Sequence, residues 1–383
     1  MTNAFHYSCE GESHKATGKV CQDHSLTCSV DGLTVAIVCD GHGGERYFRS
    51  DIGSKCAADA TLEAVTYFAE QVGDTLFENK PFTAVGPTTT LKDAKDLSAV
   101  DKAFRQLFSS IIYRWNEKIK QHAQTVAITE WEKANVPPKY LEEFSKSESF
   151  EKQYGCTLMA YVQTPTYWFA FHIGDGKCIS FQENPIWKEP IPWDDRCFLN
   201  KTTSLCDTSA IEEFRYCYQG DGHFPWAILL GSDGLDDSFG ETDNLANFYV
   251  QILKMLANEG QPATEASLQE TLPQLSKIGS KDDMSVACVY DDTALHAHVV
   301  DLIQYQINLV TDKIHNADSR IRSAKKKLSS YSKLKFLDEK TKIEISYAKK
   351  EVSSSNEERN NLLFKHDSLM GQLSLMLSKN TKE

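Results

Sequence analysis

Short apolar runs bordered by aspartate are the feature of this sequence that most restricts its fold. The runs have the length of buried strands and are Leu33–Asp40, Cys156–Val162, Tyr167–Ile173, Trp226–Asp233 and Met284–Tyr290. The aspartate-bearing segments beside them are 20–24, 38–44, 172–177, 231–237 and 280–285. Because the ends of several core strands can meet at one edge of packed sheets, we expect these carboxylates to converge there.

Convergence of these carboxylates has an electrostatic consequence. Crowded carboxylates repel one another, so each raises the pKa of its neighbours. Two or more hard divalent cations remove the conflict, and an all-oxygen ligand set with no Cys and little His favours Mg²⁺ or Mn²⁺ over zinc. A single Asp-Gly predicts only a turn, and the one at 220–223 is interpreted as a hairpin turn.

Helices are predicted between and after the apolar runs. The apolar spacing predicts helices over Ser54–Val72, Leu97–Gln124 and Ala246–Leu256, with a loop over Gly73–Asp96. Strands collected in runs, with helices inserted between them, favour an α+β arrangement over a parallel doubly wound sheet.

The chain changes character after Asp292. Residues 293–383 hold no proline and carry 16 Lys and Arg against 11 Asp and Glu, a net charge of +5 that leaves −18 for the rest. We therefore predict two domains, residues 1–292 and a helical C-terminal extension, 293–383.

A heptad series dominates the extension. Apolar residues hold its a and d positions from Ile307 to Tyr331, and a second, interrupted series runs from Ile345 to Met376. Two helices joined near Ser332–Lys342 would form a helical hairpin, whereas one long helix would form a coiled-coil dimer. A third alternative is that the apolar stripe packs on the chain's own core.

Composition excludes some functional classes. The net charge of −13 argues against nucleic-acid binding. Eleven cysteines without a CxxC pair or zinc-ligand spacing indicate reduced thiols, as in the cytosol. Since no signal-peptide pattern and no apolar stretch of membrane-spanning length is found, we expect a cytoplasmic protein that does not bind membranes.

The order and spacing of the motifs over Glu10–Asp292 resemble the PPM (PP2C-type) family of metal-dependent protein phosphatases. That family has, in this order, an acidic pair, a DGHGG loop, a G-x-T strand start, a GDS-like turn, an SDG-x-x-D segment and a DN-x-[ST] turn. The matching segments here are 22–23, 40–44, 155–157, 174–176, 233–237 and 282–285. The resemblance implies a central antiparallel β-sandwich flanked by helices on both faces.

The resemblance also implies a cofactor set of two or three Mn²⁺ or Mg²⁺ ions. By position, Asp40 would bridge two metals, the Gly41 carbonyl oxygen would be a further ligand, and Asp233 and Asp282 would complete one metal site. Asp23 would act on a metal through a water.

Further roles follow from the same match. Asp175 and Asp237 would form a third metal site together with Asp233. A metal-activated water would attack the phosphorus, and His42 in the DGHGG loop would protonate the leaving oxygen as general acid.

Two positions depart from the usual family pattern. Gln22 replaces the first acid of the Glu-Asp pair, as in a bacterial branch of the family, and its oxygen is a further candidate metal ligand. Gly18 stands where an arginine often clamps the substrate phosphate. Other candidates for the phosphate are His14, Lys15 and Lys19, although none has the bidentate geometry of arginine.

The leading hypothesis is metal-dependent hydrolysis of phosphoserine and phosphothreonine on proteins. The alternatives are a weakly active or inactive phosphatase-like module that binds a partner through its C-terminal helices, and a hydrolase of small phosphorylated molecules. The expected partners are a phosphorylated protein substrate and a cognate Ser/Thr kinase. The basic extension would dimerise, or dock on an acidic partner or on the acidic domain itself.

Overall fold

Two antiparallel sheets carry the apolar runs in the computed structural model, which describes residues 2–72, 74–87, 97–146, 150–197, 201–332 and 338–380. Residues 1–295 form one unit and residues 296–383 a second. The strands are β1 (Thr2–Cys9), β2 (His24–Val30), β3 (Leu33–Cys39), β4 (Thr83–Val85), β5 (Leu158–Gln163), β6 (Trp168–Ile173), β7 (Lys177–Phe181), β8 (Trp187–Lys188), β9 (Arg215–Gln219), β10 (Ala227–Gly231) and β11 (Met284–Asp291).

Helices account for most of the remaining described residues. They are α1 (Glu12–Thr17), α2 (Ser50–Val72), α3 (Ala99–Thr125), α4 (Glu130–Asn135), α5 (Pro138–Ser145), α6 (Ala210–Glu213), α7 (Asp233–Asp237), α8 (Thr242–Glu259), α9 (Gln261–Ile278), α10 (Asp292–Ala297), α11 (Val299–Tyr331) and α12 (Glu339–Asn380). Short 3₁₀ turns cover Asp74–Leu76 and Phe150–Tyr154. Across the described ranges, no helix is long and apolar enough to cross a membrane.

The two sheets lie face to face and form the predicted sandwich. One has the order β1-β11-β10-β7-β8 and the other β2-β3-β5-β6-β9-β4. Val38 and Met159 of the second sheet pack with Leu230 and Ala287 of the first in one apolar cluster between them. Because successive side chains of a strand point to opposite faces of the sheet, the neighbouring apolar residues lie on the outer faces.

Helices cover both outer faces. Phe104 of α3 and Ala57 of α2 share a buried cluster with Phe169 of β6. On the other sheet, the Tyr249 hydroxyl of α8 lies only 2.4 Å from where a side chain on Gly231 would begin. The predicted α+β fold, a β-sandwich between helical layers, is therefore confirmed.

The predicted strands and helices occur with shifted ends. Helix α2 begins at Ser50, four residues before the predicted start. Its first turn contains Gly53, a residue that disfavours helices. The Tyr154 carbonyl oxygen lies 1.9 Å from where a Gly53 side chain would begin, so only glycine fits. The predicted loop 73–96 contains β4, and its residues 88–96 lie outside the described ranges.

Segment 220–223 is not a hairpin turn. It joins β9 to β10, which belong to different sheets and do not pair. That prediction was wrong because an Asp-Gly signal marks a turn but does not specify which strands pair across it.

The second unit is a helical hairpin. Helices α11 and α12 pack together, and the Arg359 Nε lies 2.6 Å from the Asp318 Oδ1. Arg320 pairs with Glu358, and Tyr331 with Glu344, so the two helices run antiparallel. The hairpin alternative therefore describes this unit, and residues 333–337, in the predicted junction, lie outside the described ranges.

Candidate active site

The aspartate-bearing segments meet at one end of the sandwich. In the second sheet, the pairs His24–Cys39 and Val38–Met159 place the start of β2, the end of β3 and the start of β5 side by side. In the first sheet, Gly231 at the end of β10 pairs with Val286 near the start of β11. These termini carry the predicted ligands Asp23, Asp40, Asp233 and Asp282. Asp175 lies between the end of β6 and the start of β7, which pair with the start of β5 and the end of β10.

The carboxylates at this end interact strongly. Burial, followed by the negative charges of Asp233 and Asp23, raises the pKa of Asp40 well above its usual range. Burial and the charge of Asp283 do the same for the pKa of Asp23. An excess of buried carboxylates without a nearby cation is costly, so the site is suited to binding positive charge.

Asp233 is the common neighbour of the other acids. Burial first and the charge of Asp233 second raise the pKa of Asp175 to about 7. Partial loss of hydration and then the charge of Asp233 also raise the pKa of Asp282 and of Asp237. The structure therefore groups the residues predicted as direct ligands and those predicted for the third site around one side chain.

Two buried oxygen atoms at this site have no hydrogen-bond partner within the described ranges. They are Oδ2 of Asp23 and Oε1 of Gln22. The Gln22 amide is oriented by its Nε2, which donates to Ser50 Oγ (2.5 Å) and to the His42 carbonyl (3.3 Å). Because buried acceptors are rarely left unsatisfied, these two oxygens fit a site for hydrated hard cations.

Gly41, in the DGHGG loop, has no space for a side chain. It forms an isolated bridge with Cys156. A side chain at this position would begin 2.5 Å from the Gln22 carbonyl oxygen and 2.8 Å from that of Ser50. Any larger residue would therefore push the DGHGG loop away from the acids.

His42 follows in the same loop. Its backbone N–H donates to the Gly155 carbonyl (3.1 Å), and its ring Nε2 lies 2.7 Å from Ser204 Oγ. The edge of Tyr47 meets the imidazole at a centroid distance of 4.8 Å. Burial lowers the pKa of His42 to about 4, against the opposing charges of Asp207 and Asp233.

The three candidates for the substrate phosphate have different surroundings. His14 is only 7% exposed, and its Nδ1 lies 2.9 Å from Asp283 Oδ2. Lys15 is exposed on α1. Lys19 Nζ donates to the Gly43 carbonyl (2.9 Å), which places this cation on the DGHGG loop. Gly18 ends α1 with a φ of 70° and has open space around its Cα.

Asp283 is a residue that the sequence analysis missed. Its carboxylate accepts from the backbone N–H groups of Gly11 (2.7 Å) and Gln22 (2.6 Å), besides contacting His14. It thereby fixes the segment that carries Asp23. The position was visible in the sequence, since it is that of the asparagine in the DN-x-[ST] turn.

Ser204, Asp207 and Lys152 were also missed. Lys152 Nζ donates to Asp207 Oδ1 (2.8 Å), and the Ser204 N–H donates to Asp207 Oδ2 (3.0 Å). These residues lie in irregular segments or in a 3₁₀ turn, so no periodic pattern marks them.

Comparisons with known proteins found a matching family model and similar solved structures. A family model described as Protein phosphatase 2C matches residues 10–273. Similar solved structures include PppA, a key regulatory component of T6SS in Pseudomonas aeruginosa (18% identity, TM-score 0.42, 76% of this chain and 97% of that one). Others are the serine/threonine phosphatase Stp1 from Staphylococcus aureus (14%, 0.42, 76% and 95%) and a C. elegans sex determining protein (14%, 0.45, 78% and 67%). A search of the curated proteins found no match.

Proposed function

The chain belongs to the protein phosphatase 2C family, and we propose that it hydrolyses phosphoserine and phosphothreonine on proteins with Mn²⁺ or Mg²⁺ as cofactor. The observation that carries the proposal is the convergence of Asp23, Asp40 and Asp233. Burial and the charges of neighbouring carboxylates, Asp233 among them, raise the pKa of Asp23 and of Asp40. A site that only binds another protein gains nothing from such repulsion. The cluster therefore supports an enzyme over a phosphatase-like module that merely binds a partner.

The proposed metal ligands follow the grouping around Asp233. Asp40, Asp233, Asp282 and the Gly41 carbonyl would hold two cations. Asp23 would act through a water, with the free oxygen of Gln22 beside it. Asp175 and Asp237 would form, with Asp233, the third site. When bound, the cations supply an activated water and neutralise charge on the phosphoryl oxygens.

His42 is the proposed general acid. Its lowered pKa means that the free protein holds a neutral imidazole at pH 7. A dianionic phosphoryl group bound nearby would favour the protonated form. The proton would then pass to the leaving oxygen of serine or threonine, which is a poor leaving group without it.

Lys19 is the proposed cation for the substrate phosphate. Its contact with the Gly43 carbonyl places it on the same loop as His42. His14 is engaged with Asp283 instead. The lysine ammonium group is a point charge, whereas the planar guanidinium of arginine can bind phosphate with two parallel hydrogen bonds. We therefore expect weaker phosphate binding than with an arginine at position 18.

The partners follow from the proposed reaction. A phosphorylated protein is the substrate, and the kinase that phosphorylates it is the natural counterpart. The basic helical hairpin is proposed to dimerise or to dock on a partner. The net charge of −13 argues against nucleic acid as a ligand of the whole chain.

The test is hydrolysis of p-nitrophenyl phosphate and of a phosphothreonine peptide, with Mn²⁺ and with EDTA. We expect metal-dependent release of phosphate from both, and loss of activity in Asp40→Asn. Asp221→Asn, on the turn at 220–223, is the matched control and keeps full activity. Absence of metal-dependent activity, or full activity in Asp40→Asn, would contradict the proposal.

A further inference from the structure

Ser204 Oγ is the only side-chain hydrogen-bond partner of the His42 ring within the described ranges, at 2.7 Å from Nε2. Ser204 is buried, with 3% of its surface exposed. It belongs to the segment between β8 and α6, far from His42 in sequence. The contact therefore links two separate parts of the chain at the candidate general acid.

The hydrogen bonds around the Ser204 hydroxyl fix its direction. The Cys156 carbonyl, 3.1 Å away, can only accept, so the hydroxyl proton points to it. The Cys206 N–H donates to the same oxygen at 3.3 Å. Cys206 Sγ also lies 3.2 Å from this oxygen, but a thiol is a weak donor and a weak acceptor. Because a hydroxyl has one proton and two lone pairs, we assign the second lone pair to His42 Nε2, the nearest of these partners at 2.7 Å. The imidazole consequently carries a proton on Nε2.

Ser204 is itself held from the other side. Its backbone N–H donates to Asp207 Oδ2, whose Oδ1 accepts from Lys152 Nζ. The next residue, Leu205, donates its N–H to the Cys156 carbonyl at 3.0 Å. The hydroxyl therefore has little freedom to turn away from the imidazole.

The other ring nitrogen of His42 remains available. Within the described ranges Nδ1 has no hydrogen-bond partner, and His42 as a whole is partly exposed. Tyr47 packs edge-on against the ring, and a side chain on Gly155 would begin 2.8 Å from its Cδ2. The ring is thus confined on two sides while Nδ1 can meet a ligand.

We propose that Ser204, held by Asp207, is a positioning residue that keeps the Nε2 proton of His42 in place, so that Nδ1 exchanges the proton with the substrate. This inference rests on the proposed function. The attacking water releases one proton to solvent as its oxygen bonds to phosphorus, the bond between phosphorus and the serine or threonine oxygen breaks, and the electron pair of that bond stays on the leaving oxygen. The oxygen takes the Nδ1 proton, and the imidazole is left neutral with its proton on Nε2. Solvent returns a proton to Nδ1 before the next turnover.

One test is independent of turnover. In metal-free protein labelled with ¹⁵N-histidine, the ring nitrogen shifts of His42, assigned by their loss in His42→Gln, report which nitrogen carries the proton. We expect a proton on Nε2 in the wild type and a mixture of tautomers in Ser204→Ala. Thr208→Ala, an exposed position four residues further on, is the matched control and should keep the wild-type shifts. A proton on Nδ1 in the wild type, or unchanged shifts in Ser204→Ala, would overturn the proposal.

The second test compares two leaving groups. Loss of a positioned acid should lower kcat on a phosphothreonine peptide by about 10- to 100-fold, the usual effect of removing a second-layer partner. p-Nitrophenyl phosphate, whose leaving group departs without a proton, should lose less than about threefold. An equal loss on both substrates, or none on either, contradicts the positioning role. If the wild type hydrolyses neither substrate with Mn²⁺, the proposed function fails, and the nitrogen shifts alone decide the role of Ser204.

Discussion

Two clusters of buried charge in the first unit are built in opposite ways. At the candidate site, Asp23, Asp40 and Asp233 bring like charges together, and burial and mutual repulsion raise the pKa of Asp23 and Asp40. Elsewhere, the Arg49 guanidinium contacts both carboxylate oxygens of Glu132, at 2.7 and 3.1 Å. Burial alone would raise the pKa of Glu132, but the hydrogen bonds from Arg49 hold it below its ordinary value.

The remaining donors of Arg49 are also satisfied. They reach the Tyr154 hydroxyl (3.1 Å) and the carbonyls of Val126 (3.2 Å) and Ala127 (3.1 Å). This cluster joins the start of α2 to the segment that leads into α4. A buried charge that is fully paired serves the fold, whereas buried charges of one sign with free oxygens serve a ligand. The comparison therefore predicts opposite responses to neutralising a carboxylate.

The largest expected effect is on the paired cluster. Glu132→Gln leaves the Arg49 charge buried without a counter-charge and should lower the free energy of unfolding by about 3–5 kcal/mol. Chemical denaturation measures the change. Glu143→Gln removes the acid of the partly exposed Arg46–Glu143 pair and should cost less than about 1 kcal/mol. Equal losses in the two variants would contradict the distinction between buried and partly exposed pairs.

Metal removal should have the second-largest effect on stability. Mn²⁺ at 100 times its Kd should stabilise the protein by about 2.7 kcal/mol, because it binds the folded state alone. EDTA should reverse this shift in thermal unfolding. A Glu132→Gln variant should keep the full metal-induced shift although its baseline is lower, while Asp40→Asn should lose it. A metal-induced shift that persists in Asp40→Asn would place the cation elsewhere.

Neutralising one acid of the unpaired cluster should change the free energy of unfolding in the opposite direction to Glu132→Gln. Asp23→Asn removes a buried charge from among its neighbours and should stabilise the metal-free protein by about 1–2 kcal/mol. The same change should weaken Mn²⁺ binding by about 10- to 100-fold. Denaturation without metal and titration calorimetry with Mn²⁺ measure the two effects. Destabilisation of the metal-free variant would show that the charge of Asp23 serves the fold.

The sequence predicted the central strands because they are buried on both faces, whereas the sandwich itself was implied by the family resemblance. β3 and β6 are continuous apolar runs, and such runs are recognisable without alternation. β1 and β2 were missed, since their burial is mixed and their polar residues hide the pattern. The connection at 220–223 was misread because pairing between distant strands is not encoded in a local turn.

The residues of the candidate site also differ in how far the sequence predicts them. Asp40 and Asp233 were predictable, as each directly follows an apolar run that marks a strand. Ser204 and Lys152 were not predictable, because no periodic pattern of apolar residues marks the segments that carry them. Ser204 contacts His42, and Lys152 contacts Asp207. The role of Asp283 depends on contacts with Gly11 and Gln22, more than 250 residues away, and only the fold brings these together.

Gly18 provides the test with the smallest expected effect. It carries no charge, and the next residue, Lys19, contacts the DGHGG loop. An arginine at position 18 should lower KM for a phosphothreonine peptide by about three- to tenfold, through hydrogen bonds between the guanidinium and the phosphate. The positive φ of 70° costs a non-glycine residue about 1 kcal/mol of stability, while the open space around the position allows the side chain. Gly18→Ala shares the backbone cost without the charge, so it should match Gly18→Arg in stability and the wild type in KM. If the two variants have the same KM, the phosphate does not bind near α1, and Lys19 loses its proposed role as well.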